Sequence, residues 1–412
     1  MSSPQHTPLM SEKKTALLGG LLVAIGPVSM ALFTPAMPTL AAVFSTTPAA
    51  VKLTLTSYFA GFALTQLICG PLSDAYGRRP VAAGFLFVYL IASIATLFAP
   101  NIHWLIAARG VQGIGAAVGV AVARAIVRDQ YVGQTSARIM NLMAMVLVLG
   151  PALAPTIGGI ALELAGWKAA FILMAILGLM LIALVHYLLP ETNRHPDLAA
   201  IRPDRLLRNY GTLLCDPRFM RPALAMGFAI SLFYTMATIM PFVLIGTIGL
   251  SPSQFGYAML LQSLGFGGGV ALTSVLLRRF DASRLISFGF SCMALAAVAL
   301  VALPFLVSAN IAAVMGPVML LAFGIALMMP AMSTEAIAHY PRTAGAASAL
   351  MGFLQMGGGF IGSLFAAALG DPLLALAIVV PISAIAGPIF YIALTGSARR
   401  RTDNPPDLSA SG

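Results

Sequence analysis

An all-α membrane protein with twelve transmembrane helices in two six-helix pseudo-repeats is the fold class this sequence predicts. Three observations predict it. The 412-residue chain is 59% hydrophobic and 9% charged, against about 25% charged in a soluble domain. Its apolar residues gather in runs long enough to cross a bilayer core of about 30 Å, which takes about 20 helical residues. Its charges gather between those runs, and nearly all Lys and Arg fall on one side.

The runs fall at 16–38, 51–71, 80–99, 102–126, 139–162 and 168–189, then at 222–247, 255–277, 284–306, 311–334, 343–368 and 373–396. The first follows Lys13 and Lys14, and no small-residue cleavage site ends it, so it reads as a membrane helix rather than a removed signal peptide. Only Gly370, Asp371 and Pro372 divide the last two. The expected organisation is a tail over 1–15, a first bundle over 16–190, a linker over 191–221, a second bundle over 222–396 and a tail over 397–412. Within the linker, Leu206 to Met220 reads either as a short amphipathic surface helix or as a plain tether.

Orientation follows from the basic residues. Placing the N-terminus in the cytoplasm puts Lys13, Lys14, Arg78, Arg79, Arg128, Arg138 and the six linker arginines there, with Arg278, Arg279, Arg284, Arg342 and Arg399 to Arg401. The opposite side keeps only Lys52 and Lys168; Arg109 and Arg124 lie in helix four. Both termini are therefore expected inside. The net charge of +10 is a topology signal, helped by anionic lipid headgroups, and needs no nucleic-acid partner. Cys69, Cys215 and Cys292 make no CxxC pair, which argues against a disulfide framework or a zinc site. There is no Walker loop and no HExxH, and no nucleophile–base arrangement stands out. An enzyme is not expected.

Four stretches carry more information. Gly70-Pro71-Leu72-Ser73-Asp74-Ala75-Tyr76-Gly77-Arg78-Arg79-Pro80 makes a tight turn between helices two and three. Gly70 and Gly77 there allow close approach and unusual φ, and Arg78 is free to pair with a carboxylate. Helix four carries Arg109-Gly110-Val111-Gln112-Gly113-Ile114-Gly115. An arginine inside a membrane helix is costly and needs a reason; Gln112 shares its face at i+3. Helix five carries Gly150-Pro151-Ala152-Leu153-Ala154-Pro155-Thr156-Ile157-Gly158-Gly159, whose prolines bend a helix and whose glycines admit a neighbour. Helix one carries Phe33-Thr34-Pro35-Ala36-Met37-Pro38.

The turn resembles the loop signature of the major facilitator superfamily, the helix-four string its proton-coupling motif, and the Pro155 to Gly159 string its antiporter motif, with Ala154 where that motif has Gly. Together with Asn209 to Pro217, Pro241 to Val243, Ser251 to Tyr257 and Gly345 to Leu350, they resemble the bicyclomycin- and chloramphenicol-resistance (Bcr/CflA) drug:proton antiporters across nearly the whole chain. The resemblance implies a major facilitator fold. It implies a conformational latch of Gly70, Asp74, Gly77, Arg78, Arg79 and Asp129, in which Asp74 contacts the start of helix eleven near Thr343 to Gly345 in the outward-facing state and Arg78 pairs with Asp129. It implies proton coupling through Arg109 and an antiporter motif of Pro151, Pro155, Gly158 and Gly159.

One departure matters. Many members carry an acid in helix one where this chain has Ala31, and none of the 13 acidic residues falls mid-helix, so neutral or anionic cargo fits better than cationic. The expected cavity lining is Phe33, Tyr58, Gln66, Gln112, Asn141, Gln262 and Gln355, and 22 methionines suit adaptable binding. The leading expectation is proton-coupled efflux of small drug-like molecules by alternating access. The alternatives are uptake of a metabolite such as a nucleoside or sugar and, more remotely, a non-transporting sensor, for which neither tail supplies an effector domain. The expected partners are a small-molecule substrate, protons and the lipid bilayer, for a monomer in a bacterial inner membrane, with no cofactor or metal and the proton gradient as energy source.

Overall fold

The computed structural model describes residues 8–397, apart from 278, 308–309 and 341–342. Arg278, Arg342 and Arg399 to Arg401 of the charge pattern thus lie outside the described residues. Twelve helices among the described residues are long and apolar enough to cross a membrane. They are α1 (Glu12–Val43), α2 (Pro48–Tyr76), α3 (Arg78–Leu97), α4 (Ile102–Gln130), α5 (Gly133–Ala165) and α6 (Lys168–Leu188). After the linker come α7 (Pro217–Thr247), α8 (Pro252–Leu276), α9 (Ala282–Pro304), α10 (Ile311–Ala338), α11 (Ala344–Ala368) and α12 (Pro372–Ser397).

Seven of the twelve helix starts are capped by a side chain. Ser11, Thr47, Asn101, Asp216, Ser251, Asn310 and Asp371 each accept a backbone N–H of the first turn, which removes an orphan donor that the membrane would penalise. Breaks have local causes. Pro35 puts a 3₁₀ turn, Thr34–Ala36, into α1, and Pro241 is followed by a wide turn over Phe242–Thr247 that ends α7. The second bundle begins earlier than expected, because Asp216 and Pro217 are an N-cap and first residue; Arg218 and Arg221 ride on the helix. The linker does contain a helix, Pro203–Leu214.

The apolar core divides in two. One buried cluster is built almost wholly from α1–α6 and the other from α7–α12 with Leu213 of the linker. Neighbour relations repeat: α1 on α5, α2 on α4 and α3 on α6 reappear as α7 on α11, α8 on α10 and α9 on α12. Two seams join the halves, α2 against α11 and α5 against α8. The linker, the start of α1 and the end of α12 lie at one end of the bundle, the tail face; the opposite end is the far face.

Candidate functional site

Arg109 sits in the core of the first half and is fully buried. Its guanidinium lies over the ring of Phe33, 4.6 Å away, and over that of Tyr58, 4.4 Å away. Nη1 donates to Gln112 Oε1. Gln112 is held in turn by Ser93 Oγ at 2.6 Å and Met174 Sδ at 3.4 Å. Tyr58 donates its hydroxyl to the Gly26 carbonyl at 2.9 Å, and Tyr89 Oη lies 2.5 Å from Ser29 Oγ. Glycine makes this closeness possible: a Cβ on Gly113 would strike the Tyr58 carbonyl, and one on Gly119 the Leu22 carbonyl. Two π-faces stabilise a desolvated cation by about 2 kcal/mol or more. Nε and Nη2 have no hydrogen-bond partner.

This changes the expected cavity wall. Phe33, Tyr58 and Gln112 are packed around Arg109 and are 0%, 1% and 0% exposed, so they do not line an accessible cavity. Spacing shows which residues share a helix face; it does not show whether that face turns to its own bundle or to the seam. Gln66 does reach the seam, against Gly352 of α11. Beside it Phe59 meets Tyr234 of α7 at 5.3 Å. Gln262 and Gln355 are half-buried and Asn141 is exposed.

The α2–α3 turn forms a polar knot. Arg78 Nε donates to Asp129 Oδ2 at 2.9 Å, and Arg78 Nη1 donates to Ser73 Oγ at 2.8 Å and to Asp74. Glu191, just past α6, accepts from the backbone N–H of Arg78 at 2.9 Å and of Arg79 at 3.1 Å, a carboxylate on the N-terminus of α3. Thr192 donates to Asp129 at 3.0 Å and Asn193 to the Asp74 carbonyl at 2.8 Å. Arg79 Nη2 reaches the His186 carbonyl at 2.7 Å. Gly77 has φ +100°, a value side chains resist. Gly70 is different from expectation: it lies inside α2 with nothing within 4 Å of its Cβ position. The turn is thus a single residue. Asp74 does not meet the start of α11 in this state. It pairs with Arg78, and the group beside Gly345 is Arg128.

Helix α5 lays bare backbone on two neighbours. Gly158 meets the Leu32 carbonyl of α1, and Gly159 meets the Pro252 carbonyl of α8 across the seam. Gly256 of α8 faces Pro155 and Thr156; Pro151 is half-buried one turn before.

Two far-face contacts had no sequence expectation. Lys52 of α2, fully buried, donates from Nζ to the Ala366 carbonyl at 2.9 Å and the Gly370 carbonyl at 3.4 Å. Glu163 of α5 accepts from the Ser253 N–H at 2.9 Å. A cation of the first half thus meets the C-terminus of α11, and an anion meets the N-terminus of α8. Each complements a helix dipole. In the second half, Arg221 pairs with Glu335 at 2.7 Å and donates to Tyr391 at 2.8 Å, beside a cavity of about 440 Å³.

Comparison with known proteins agrees with this architecture. The Major Facilitator Superfamily profile matches residues 19–363. The chain is 29% identical over 353 residues to multidrug resistance protein D of Escherichia coli, covering 84% of this chain and 86% of that one. It is 26% identical over 355 residues to a bicyclomycin resistance protein homolog of Haemophilus influenzae, covering 84% and 87%. The solved structure of a D-xylose-proton symporter superposes with a TM-score of 0.70 over 93% of this chain and 98% of that one, at 14% identity, a likeness of fold alone.

Proposed function

This chain belongs to the major facilitator superfamily, and from that premise we propose that it exports small drug-like molecules in exchange for protons by alternating access. The observation that carries the reading is the pair of named relatives. Both are resistance proteins by name, and each aligns over more than four-fifths of both chains. The α5 stretch Pro155 to Gly159 supports the same direction by its resemblance to the antiporter motif, and its Gly159 packs on α8 across the seam.

The mechanism takes the two bundles as rocking bodies. The far face is closed in this state by Lys52 on α11 and Glu163 on α8, and these contacts break when it opens. Arg78, Asp74, Asp129 and Glu191 hold the tail-face ends of α2, α3, α4 and α6 as one block, so the first half moves rigidly. We read the tail face as cytoplasmic, in a bacterial inner membrane, because the basic residues concentrate there. Proton entry alters the charge balance around Arg109, fully buried in the core of the first half. The functional unit is a monomer.

Expression in a host stripped of its own efflux pumps tests the reading. Raised resistance to one or more antibiotics, lost when the host's proton gradient is collapsed, is the expected result. An unchanged susceptibility profile across neutral, anionic and cationic compounds, with the protein present in the membrane, would refute it.

A further inference from the structure

Arginine carries five N–H donors in a fixed plane. In Arg109 the centre of that plane sits over two rings, Phe33 at 4.6 Å and Tyr58 at 4.4 Å. Nη1 is engaged by Gln112 and by Met174 Sδ at 3.8 Å. What remains is the edge formed by Nε and Nη2, and both atoms are buried without a partner. That edge is the side-on fork whose two parallel N–H groups match a carboxylate. A buried cation without a counter-charge is expensive, and among the described residues none is in ion-pair reach of Arg109, every ion pair there lying elsewhere.

We propose that the Nε–Nη2 edge of Arg109 is a seat for a carboxylate group, belonging either to an anionic cargo in transit or to a small free carboxylate ion. The inference rests on the transporter reading above and names the cargo class for it. Gln112, fixed by Ser93 and Met174, holds the guanidinium in one orientation, so the edge is preorganised. The wall around it is aromatic and touches the seam. Tyr58 neighbours Phe59 at 6.2 Å, and Phe59 meets Tyr234 of the other half at 5.3 Å, so separation of the halves unpacks that wall. A second observation lies further along the same helix. Arg124 and Arg128 are exposed near the tail-face end of α4, and neither is in an ion pair among the described residues. They add positive charge at that end of the same helix, about 22 Å or more from Arg109, which attracts anions to the tail face.

The test uses the purified full chain in nanodiscs and three probes of matched shape: benzoate, benzamide and benzylamine. Calorimetric titration of the wild-type protein should show benzoate binding about tenfold or more tighter than either other probe, the ratio that loss of one charge-assisted contact produces. Arg109→Lys keeps the charge and loses the fork, and should weaken benzoate by about tenfold while the other two probes change little. Equal affinity for benzoate and benzamide, or a preference for benzylamine, in the wild-type protein overturns the proposal even where the variant fails to fold. Loaded vesicles then separate the two sources. Benzoate that binds and moves is cargo; benzoate that binds, stays put and is needed for transport of another compound is the free ion. Proton-coupled transport of neutral drugs with no benzoate binding removes the seat and leaves the export reading standing. Benzoate binding by a protein that moves no compound leaves the seat standing and removes the export reading.

Discussion

Replacing Lys52 with methionine keeps the length of the side chain and removes the ammonium. Lys52 is fully buried at the α2–α11 seam, donating to the Ala366 and Gly370 carbonyls with the Phe242 ring 5.4 Å away. A hydrogen bond to a charged group contributes about 1.5–3 kcal/mol, and a cation at a helix C-terminus adds about 0.3–1 kcal/mol. Opening the far face exchanges these contacts for water, and closing it costs the ammonium its hydration. The difference that favours closure is therefore about 1.5 kcal/mol, roughly tenfold in the ratio of closed to open molecules. Spin labels at Thr46→Cys, half-buried, and Leu374→Cys, exposed, report it in a chain whose three native cysteines are changed to alanine. Double electron–electron resonance should show one short distance with Lys52 present. Lys52→Met should add a longer population of comparable size. An unchanged distribution, in a variant that inserts and purifies normally, would show that the ammonium does not hold the far face closed.

Other perturbations have equally definite outcomes. Arg78→Lys breaks the forked contact with Asp129 in a largely buried knot and should cost about 3 kcal/mol, read as a lowered melting temperature together with reduced transport. Gly159→Ala forces a Cβ into the Pro252 carbonyl and should abolish transport while membrane insertion, measured by immunoblot, stays normal; transport at the wild-type rate would contradict the seam. Burial pushes the Asp216 carboxyl up, but hydrogen bonds from the Arg218 guanidinium and backbone outweigh it and hold it at about 2. A depressed folded value means that its contribution is complete above the ordinary carboxylate range near pH 4 and fades as pH falls through about 2. Limited proteolysis of the linker should therefore be no faster at pH 5 than at pH 7, and faster at both in Asp216→Asn.

The twelve spans were legible because hydrocarbon allows few alternatives: an apolar run of about 20 residues has to be a helix. The halves were legible too, from the linker and the doubled Arg-Arg after helices two and eight. Contacts made to backbone were not. Nothing in the neighbourhood of Lys52 marks carbonyl oxygens more than 300 residues away, since a helix C-terminus presents the same group whatever its sequence. The site was half legible for a related reason. Arg109 and Gln112 announce a polar pair at i, i+3, yet the aromatic rings that enclose them come from α1 and α2, and their facing depends on how three helices rotate. The Asp74 contact with α11 is expected of the outward-facing state; in this state Asp74 pairs with Arg78, four residues away on the same chain.

The central claim is that export is driven by protons, and everted membrane vesicles test it most directly. A pH gradient, acidic inside, is set up and followed by a fluorescent dye, and a compound to which the protein confers resistance is then added. Proton-coupled export predicts immediate partial collapse of the gradient in vesicles that carry the protein and none in vesicles that lack it. Accumulation of the compound with the gradient untouched would contradict the account.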